Sequence, residues 1–195
     1  MLRSIQVQPP LPAMSILVQF VHPYPERSRA NRALLEAISD LQGLTVNDLY
    51  ACYPNFHVDV EREQQLLVNA KLVVFMHPLY WYSGPALLKE WIDVVLEYGF
   101  AYGTGGRVLR GKTWLHAVTT GMPGESYTAE GFNAASMDEL LKPFESTARL
   151  CGMRWLEPAL LHEAHSMSDD KLIQRCRAFR ARIEADRAAA EQAEP

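Results

Sequence analysis

An α/β domain built on an open, five-stranded parallel sheet with helices on both faces is the fold class this sequence predicts, and three observations predict it. Short apolar segments alternate five times with helical patterns. One of these segments, Leu72-Val73-Val74-Phe75-Met76, is apolar on both faces, as a strand in the middle of a parallel sheet must be. The chain has 195 residues, 48% of them hydrophobic, enough for one well-filled core without help from disulfides.

The first strand falls at 15–21, followed by a loop at 22–27 and a helix whose apolar face is Ala30, Leu34, Ala37, Ile38 and Leu41. Ser28 suits the N-cap of that helix and Gly43 its C′ position. Residues 44–50 read as the second strand. Past a loop with Pro54 and Phe56, a polar helix at 59–69 leads into the third strand, 72–76. Pro85 suits the first turn of the next helix, which carries the stripe Leu88, Trp91, Ile92, Val95 and Leu96 and stops at Gly99. A fourth strand follows at 112–120, then a helix at 136–150 perturbed near Pro143, a fifth strand at 154–161 and a terminal helix at 168–190. Residues 14–195 are expected to form one domain. Residues 1–13, with Pro9, Pro10 and Pro12, read as a flexible leader or as an over-long start ahead of Met14.

Composition narrows the function. A formal net charge of −4 offers no basic field for phosphate backbones, which argues against nucleic acid. No apolar run approaches the length of a membrane-spanning helix. Cys52, Cys151 and Cys176 are odd in number and form no Cys-x-x-Cys pair, so a reducing, cytoplasmic setting is expected.

In open α/β sheets, ligands bind beyond the carboxyl ends of the strands, so the loops after strands one, three and four are the candidates. The first, His22 onward, ends on a helix N-terminus, where free N–H groups and the helix dipole favour an anion such as phosphate. Ser28 and Asn31 can both reach that end, although Ser28 alone also reads as a simple cap. The second loop sets Tyr80, Trp81 and Tyr82 at the mouth of a central strand, suited either to packing under a neighbouring loop or to stacking on a planar ligand. The third, from Thr119 to Tyr127, offers hydroxyls and the close backbone approach that Gly121 and Gly124 allow. One ligand with a phosphate, a ring and polar ring edges could touch all three.

His22-Pro23, Ser28-x-x-Asn31, the run from Pro78-Leu79-Tyr80-Trp81-Tyr82-Ser83 through Trp91-Ile92-Asp93, Gly99-Phe100-Ala101-Tyr102 and Thr119-Thr120-Gly121 resemble the DT-diaphorase-like NAD(P)H quinone oxidoreductase family. The likeness spans about 15–183, and it is greatest to the bacterial ancillary proteins of glutathione-gated potassium efflux systems. The resemblance implies a flavodoxin-like sheet, a bound flavin, a homodimer and transfer of a hydride from NAD(P)H through the flavin to a quinone. It also implies that His22, Ser28, Arg29, Ala30 and Asn31 hold the flavin phosphate. Leu79, Tyr80, Trp81 and Tyr82 would flank the isoalloxazine, and Thr119, Thr120, Gly121 and Met122 would meet its pyrimidine edge, where amides and hydroxyls stabilise developing negative charge. Tyr127 matches a tyrosine that acts on flavin or acceptor and is the catalytic expectation, while Tyr102 matches one that lines the acceptor pocket from the partner subunit. The family's catalytic histidine falls on Asn133, which cannot relay a proton as imidazole does. The chain also lacks the long C-terminal extension that helps hold the adenine half of FAD in mammalian members, so FMN is expected, with FAD the alternative. A rival reading is an ancillary subunit of a potassium efflux transporter with minor reductase activity, cytoplasmic and peripheral to the inner membrane through that partner.

Other signals carry less. Gly103-Thr104-Gly105-Gly106 opens no helix and fails the context of a dinucleotide fingerprint. His162-Glu163-Ala164-His165 follows a strand and lacks the i, i+4 geometry of a zinc helix, so no metal is expected. His57, His77 and His116 read as packing or loop residues. Arg175, Arg177, Arg180 and Arg182 read as a solvated helix face, with a docking surface as the alternative.

Overall fold

Two seven-residue strands with every residue buried, β3 (Leu72–Pro78) and β4 (Thr113–Thr119), form the middle of the sheet in a computed structural model that describes residues 15–192. The expected leader at 1–13 lies outside the described residues. β1 (Ile16–Phe20) pairs with β3 and carries β2 (Leu44–Asp48) on its other side. The far edge consists of β5 (Arg154–Trp155) and β6 (Ala159–Leu161), which both pair with β4. All pairings are parallel, in the order β2-β1-β3-β4-β5. The order reverses between β1 and β3, and in such sheets a crevice opens at the carboxyl ends where the connections part to opposite faces.

Period-two alternation assigns the two faces. Ile16, Val18, Phe20, Val74 and Met76 pack under α1 (Arg29–Glu36) and α6 (Asp169–Gln192). Leu17, Val73, Phe75, Trp114 and Val118 pack under α3 (Val60–Asn69), α4 (Ala86–Val95) and α5 (Met137–Leu150). A single-turn α2 (Leu49–Cys52) follows β2. The helices begin where side chains replace missing backbone acceptors: Ser28 and Asp59 cap α1 and α3, and Ser136 with Glu139 closes a capping box on α5. Among the described residues, no helix is long and apolar enough to cross a membrane.

The structure moves several expected boundaries. The fifth strand is two short pieces, because Pro158 between them has no N–H to give to β4. The second strand stops at Asp48, whose carboxylate caps α2 through Ala51 N–H instead of continuing the ladder. The first helix ends at Glu36, before Leu41, and the Gly43 carbonyl accepts from the N–H groups of Ser15 and Ile16. The fourth helix ends at Val95, ahead of Gly99. Pro143 interrupts nothing, since α5 runs through it for 14 residues.

Two polar groups sit inside this apolar frame. Glu63 is wholly buried, and its carboxylate accepts from Gln19, Asn47, Tyr53 and Trp91 and pairs with Arg62. His77 and His116 are also wholly buried, with Nε2 of the first 2.7 Å from Nδ1 of the second. His77 Nδ1 lies 2.9 Å from the Pro78 carbonyl, which can only accept, so that nitrogen carries the proton. In the neutral pair His116 Nδ1–H then donates to His77, and His116 Nε2 is left with no partner.

Candidate active site

At the reversal between β1 and β3 lies a small, partly enclosed cleft. Its rim comes from the ends of β1, β3 and β4, the first turn of α1, and the loop after β6. Of the residues that sequence singled out, His22, Ser28, Arg29, Ala30, Asn31, Leu79, Tyr80, Thr119, Thr120 and Gly121 line it together.

The anion end is built from α1. Ser28 N–H donates to the Pro25 carbonyl, and Asn31 N–H donates to Ser28 Oγ at 3.3 Å. The N–H groups of Arg29 and Ala30 remain without acceptors among the described residues, as the first turn of a helix requires. The Arg29 guanidinium turns away, donating to the Met167 carbonyl and pairing with Asp169 at the start of α6. Arg29 therefore offers the cleft its backbone. His22 Nδ1 accepts from Tyr24 N–H at 3.1 Å, which leaves the proton of the neutral ring on Nε2 as a further donor. Burial lowers the pKa of His22, against the pull of Glu26 and Asp48 and with some help from His165.

Asn31 joins this end to the neighbouring strand. Its Nδ2 donates to Ser28 Oγ at 2.9 Å and to Thr119 Oγ1 at 2.8 Å, tying α1 to the end of β4. Its Oδ1 is buried and has no donor. A ligand with a phosphate for the free amides and hydroxyls for Asn31 meets both needs, and the ribityl phosphate of a flavin carries both groups.

The aromatic rim is a tight turn. Tyr80 and Ser83 exchange two backbone hydrogen bonds, and the residues between them, Trp81 and Tyr82, have φ of 48° and 64°. That is the conformation of a two-residue hairpin turn, which normally takes Asn-Gly. Trp81 is 93% exposed and Tyr82 49%, so both stand out from the cleft instead of lining it. Met122 and Tyr127 lie just outside it, Tyr127 buried with its ring stacked on His162 at 5.5 Å. Tyr102 packs edge-on against Tyr98 beyond α4 and lies outside this cleft. Asn133 donates twice to the Ser126 carbonyl, from its backbone at 2.9 Å and from Nδ2 at 3.0 Å, which closes the loop carrying Tyr127.

Sequence reasoning missed Pro78, Ala164 and His165 in the lining. The signal for the last two was available, because the loop after the fifth strand emerges at the same sheet edge as the three loops chosen. Weighing 162–165 only as a metal motif hid it.

Comparison with known proteins places this geometry. The family model described as having a flavodoxin-like fold matches residues 14–184. The ancillary protein KefG of the glutathione-regulated potassium-efflux system from Pectobacterium atrosepticum is 48% identical over 172 residues, 88% of this chain and 92% of that protein. General stress protein 14 of Treponema denticola, solved in complex with FMN, superposes with a TM-score of 0.83 at 34% identity, over 88% of this chain and 98% of that one. An NADPH-quinone reductase from P. pentosaceus gives a TM-score of 0.80 at 31% identity, over 87% and 97%. The sheet order, the cleft at its reversal and these likenesses agree: the chain belongs to the flavodoxin-like NAD(P)H quinone reductase family, in company with the KefG ancillary proteins.

Proposed function

We propose that this protein is an FMN-dependent oxidoreductase that takes a hydride from NAD(P)H and passes it to a quinone-like acceptor. The observation that carries the reading is the convergence of two free amides on α1, Arg29 N–H and Ala30 N–H, with His22 and Asn31 in one cleft beside an aromatic rim. The FMN bound by the Treponema denticola protein, at 34% identity, supports the choice of flavin. When bound, the flavin supplies two-electron chemistry, accepting a hydride from one partner and yielding it to the next.

The protein's part is orientation. Amides 29 and 30 and His22 Nε2–H hold the phosphate, and Asn31 fixes its distance from β4. Leu79 and Tyr80 bound the ring. The Gly121 backbone N–H, which has no acceptor among the described residues, offers a donor at the polar ring edge, where negative charge gathers on reduction, while the Thr120 N–H is spent on the Leu161 carbonyl. Tyr127 is the candidate to hydrogen-bond the acceptor, and Tyr102 the candidate to reach the pocket from the partner protomer of a homodimer. A second reading is favoured by the 48% identity to KefG, namely a cytoplasmic subunit that docks on a potassium-efflux transporter at the inner membrane.

The test is a visible spectrum of the FMN-loaded protein under anaerobic conditions. NADPH should bleach the flavin band, and benzoquinone should restore it within seconds. Bound flavin that NADPH cannot reduce would favour the docking role. A protein that leaves FMN free in solution would defeat the site assignment.

A further inference from the structure

Just after β6 stands an imidazole to which the sequence reading gave no role. His162 Nδ1 lies 2.9 Å from Thr120 Oγ1. The Thr120 hydroxyl donates its only hydrogen to the Met122 carbonyl, also at 2.9 Å, so Oγ1 can only accept from the ring. His162 therefore carries its proton on Nδ1, and its Nε2 has no hydrogen-bond partner among the described residues. The ring lies on Tyr127 with an interplanar angle of 25°. Facing it is Gly124, where a Cβ would come within 3.2 Å of the imidazole, so a side chain there would crowd the ring. One side chain thus holds both Thr120, which lines the cleft, and Tyr127, the acceptor candidate.

We propose that His162 is a positioning residue of this site, locking the Thr120 hydroxyl and the Tyr127 ring in one orientation and gaining a charge on acidification, through which the site responds to pH. The inference rests on the flavin reading above. The electrostatic surroundings are mixed. Burial and Arg175 on α6 disfavour the imidazolium, Glu163 and Glu125 favour it, and the balance holds its pKa below the ordinary histidine value. An anionic ligand in the cleft adds a favourable charge, so binding should raise that pKa. Asn133 cannot supply this charge. Its amide is neutral and is held on Ser126.

Two substitutions separate the roles. His162→Asn can keep a donor for Thr120 but cannot titrate, and His162→Phe keeps a ring against Tyr127 but has no donor. The ring resonances of His162, assigned by their loss in the Asn variant, should titrate at a pKa at least half a unit higher when FMN is bound. In quinone turnover from pH 5.5 to 8, His162→Asn should lose a limb of the wild-type kcat profile. His162→Phe should lower kcat about tenfold, with KM for NADPH within twofold of wild type. The inference is overturned if FMN binds, the His162 pKa does not move, and both variants keep the wild-type kcat within twofold. Failure of the wild-type protein to bind FMN would instead remove the flavin reading, and this inference with it.

Discussion

Glu63 shows how much one residue can organise. Its carboxylate is the common acceptor for donors from β1, β2, the loop after α2, and α4, all buried with it. Removing it would leave several donors desolvated and unpaired, a far larger cost than the loss of any single bond. Glu63→Ala should destabilise the protein by about 3–5 kcal/mol in urea unfolding, and Glu63→Gln by less, since an amide oxygen still accepts. None of this was legible in the sequence. Glu63 reads as one more polar residue on a polar helix, and its partners Gln19 and Trp91 are 44 and 28 residues away. Ser28 and Asn31 were legible, because their three-residue spacing at a helix start carries a local meaning. The Asn31 bond to Thr119 was not, since it spans 88 residues.

At the scale of elements, the β3–β4 pair stores a response to acid. Burial holds the pKa of His77 down to about 4 and that of His116 well below its ordinary value, so both are neutral in the folded chain. The unfolded chain takes up these protons first as pH falls through about 6.5, so stability is full above that value and is lost from there down toward pH 4. For His77 alone the loss approaches roughly 3 kcal/mol at the lower end. Urea midpoints should fall between pH 7 and 5, above the range in which Glu139 and Glu145 lose their ionised-state stabilisation, and His116→Phe should flatten the slope. The aromatic turn makes a second prediction. Two non-glycine residues at positive φ cost about 1 kcal/mol each. Replacing Trp81-Tyr82 with Asn-Gly should raise stability by about 1–2 kcal/mol, which thermal melts would check. The alternation of elements was readable because apolar period and length separate strand from helix. Their ends were less so, because they depended on particular contacts such as the Asp48 cap and on the gap at Pro158.

For the whole molecule, the central place of the third strand was legible because it is apolar on both faces, and the sheet edge that carries the cleft was legible because ligands bind beyond the carboxyl ends of parallel strands, whereas the order β2-β1-β3-β4-β5 depends on pairings between distant segments. Binding that draws together α1, β3, β4 and the loop after β6 links four parts of the chain, so occupancy should stabilise the fold globally. FMN at one hundred times its dissociation constant should add about 2.7 kcal/mol, visible as a rise in Tm that saturates with FMN and is reduced in Ser28→Ala. The exposed rim has an optical consequence as well. Of the four tryptophans, Trp91 and Trp114 are buried and Trp155 is half-buried, while Trp81 stands in water. The red edge of the emission spectrum therefore belongs mainly to Trp81, next to the cleft. A ligand, a second protomer or a transporter surface that covers this rim will each announce itself there, the flavin by energy transfer and a protein partner by a blue shift, without any label being attached.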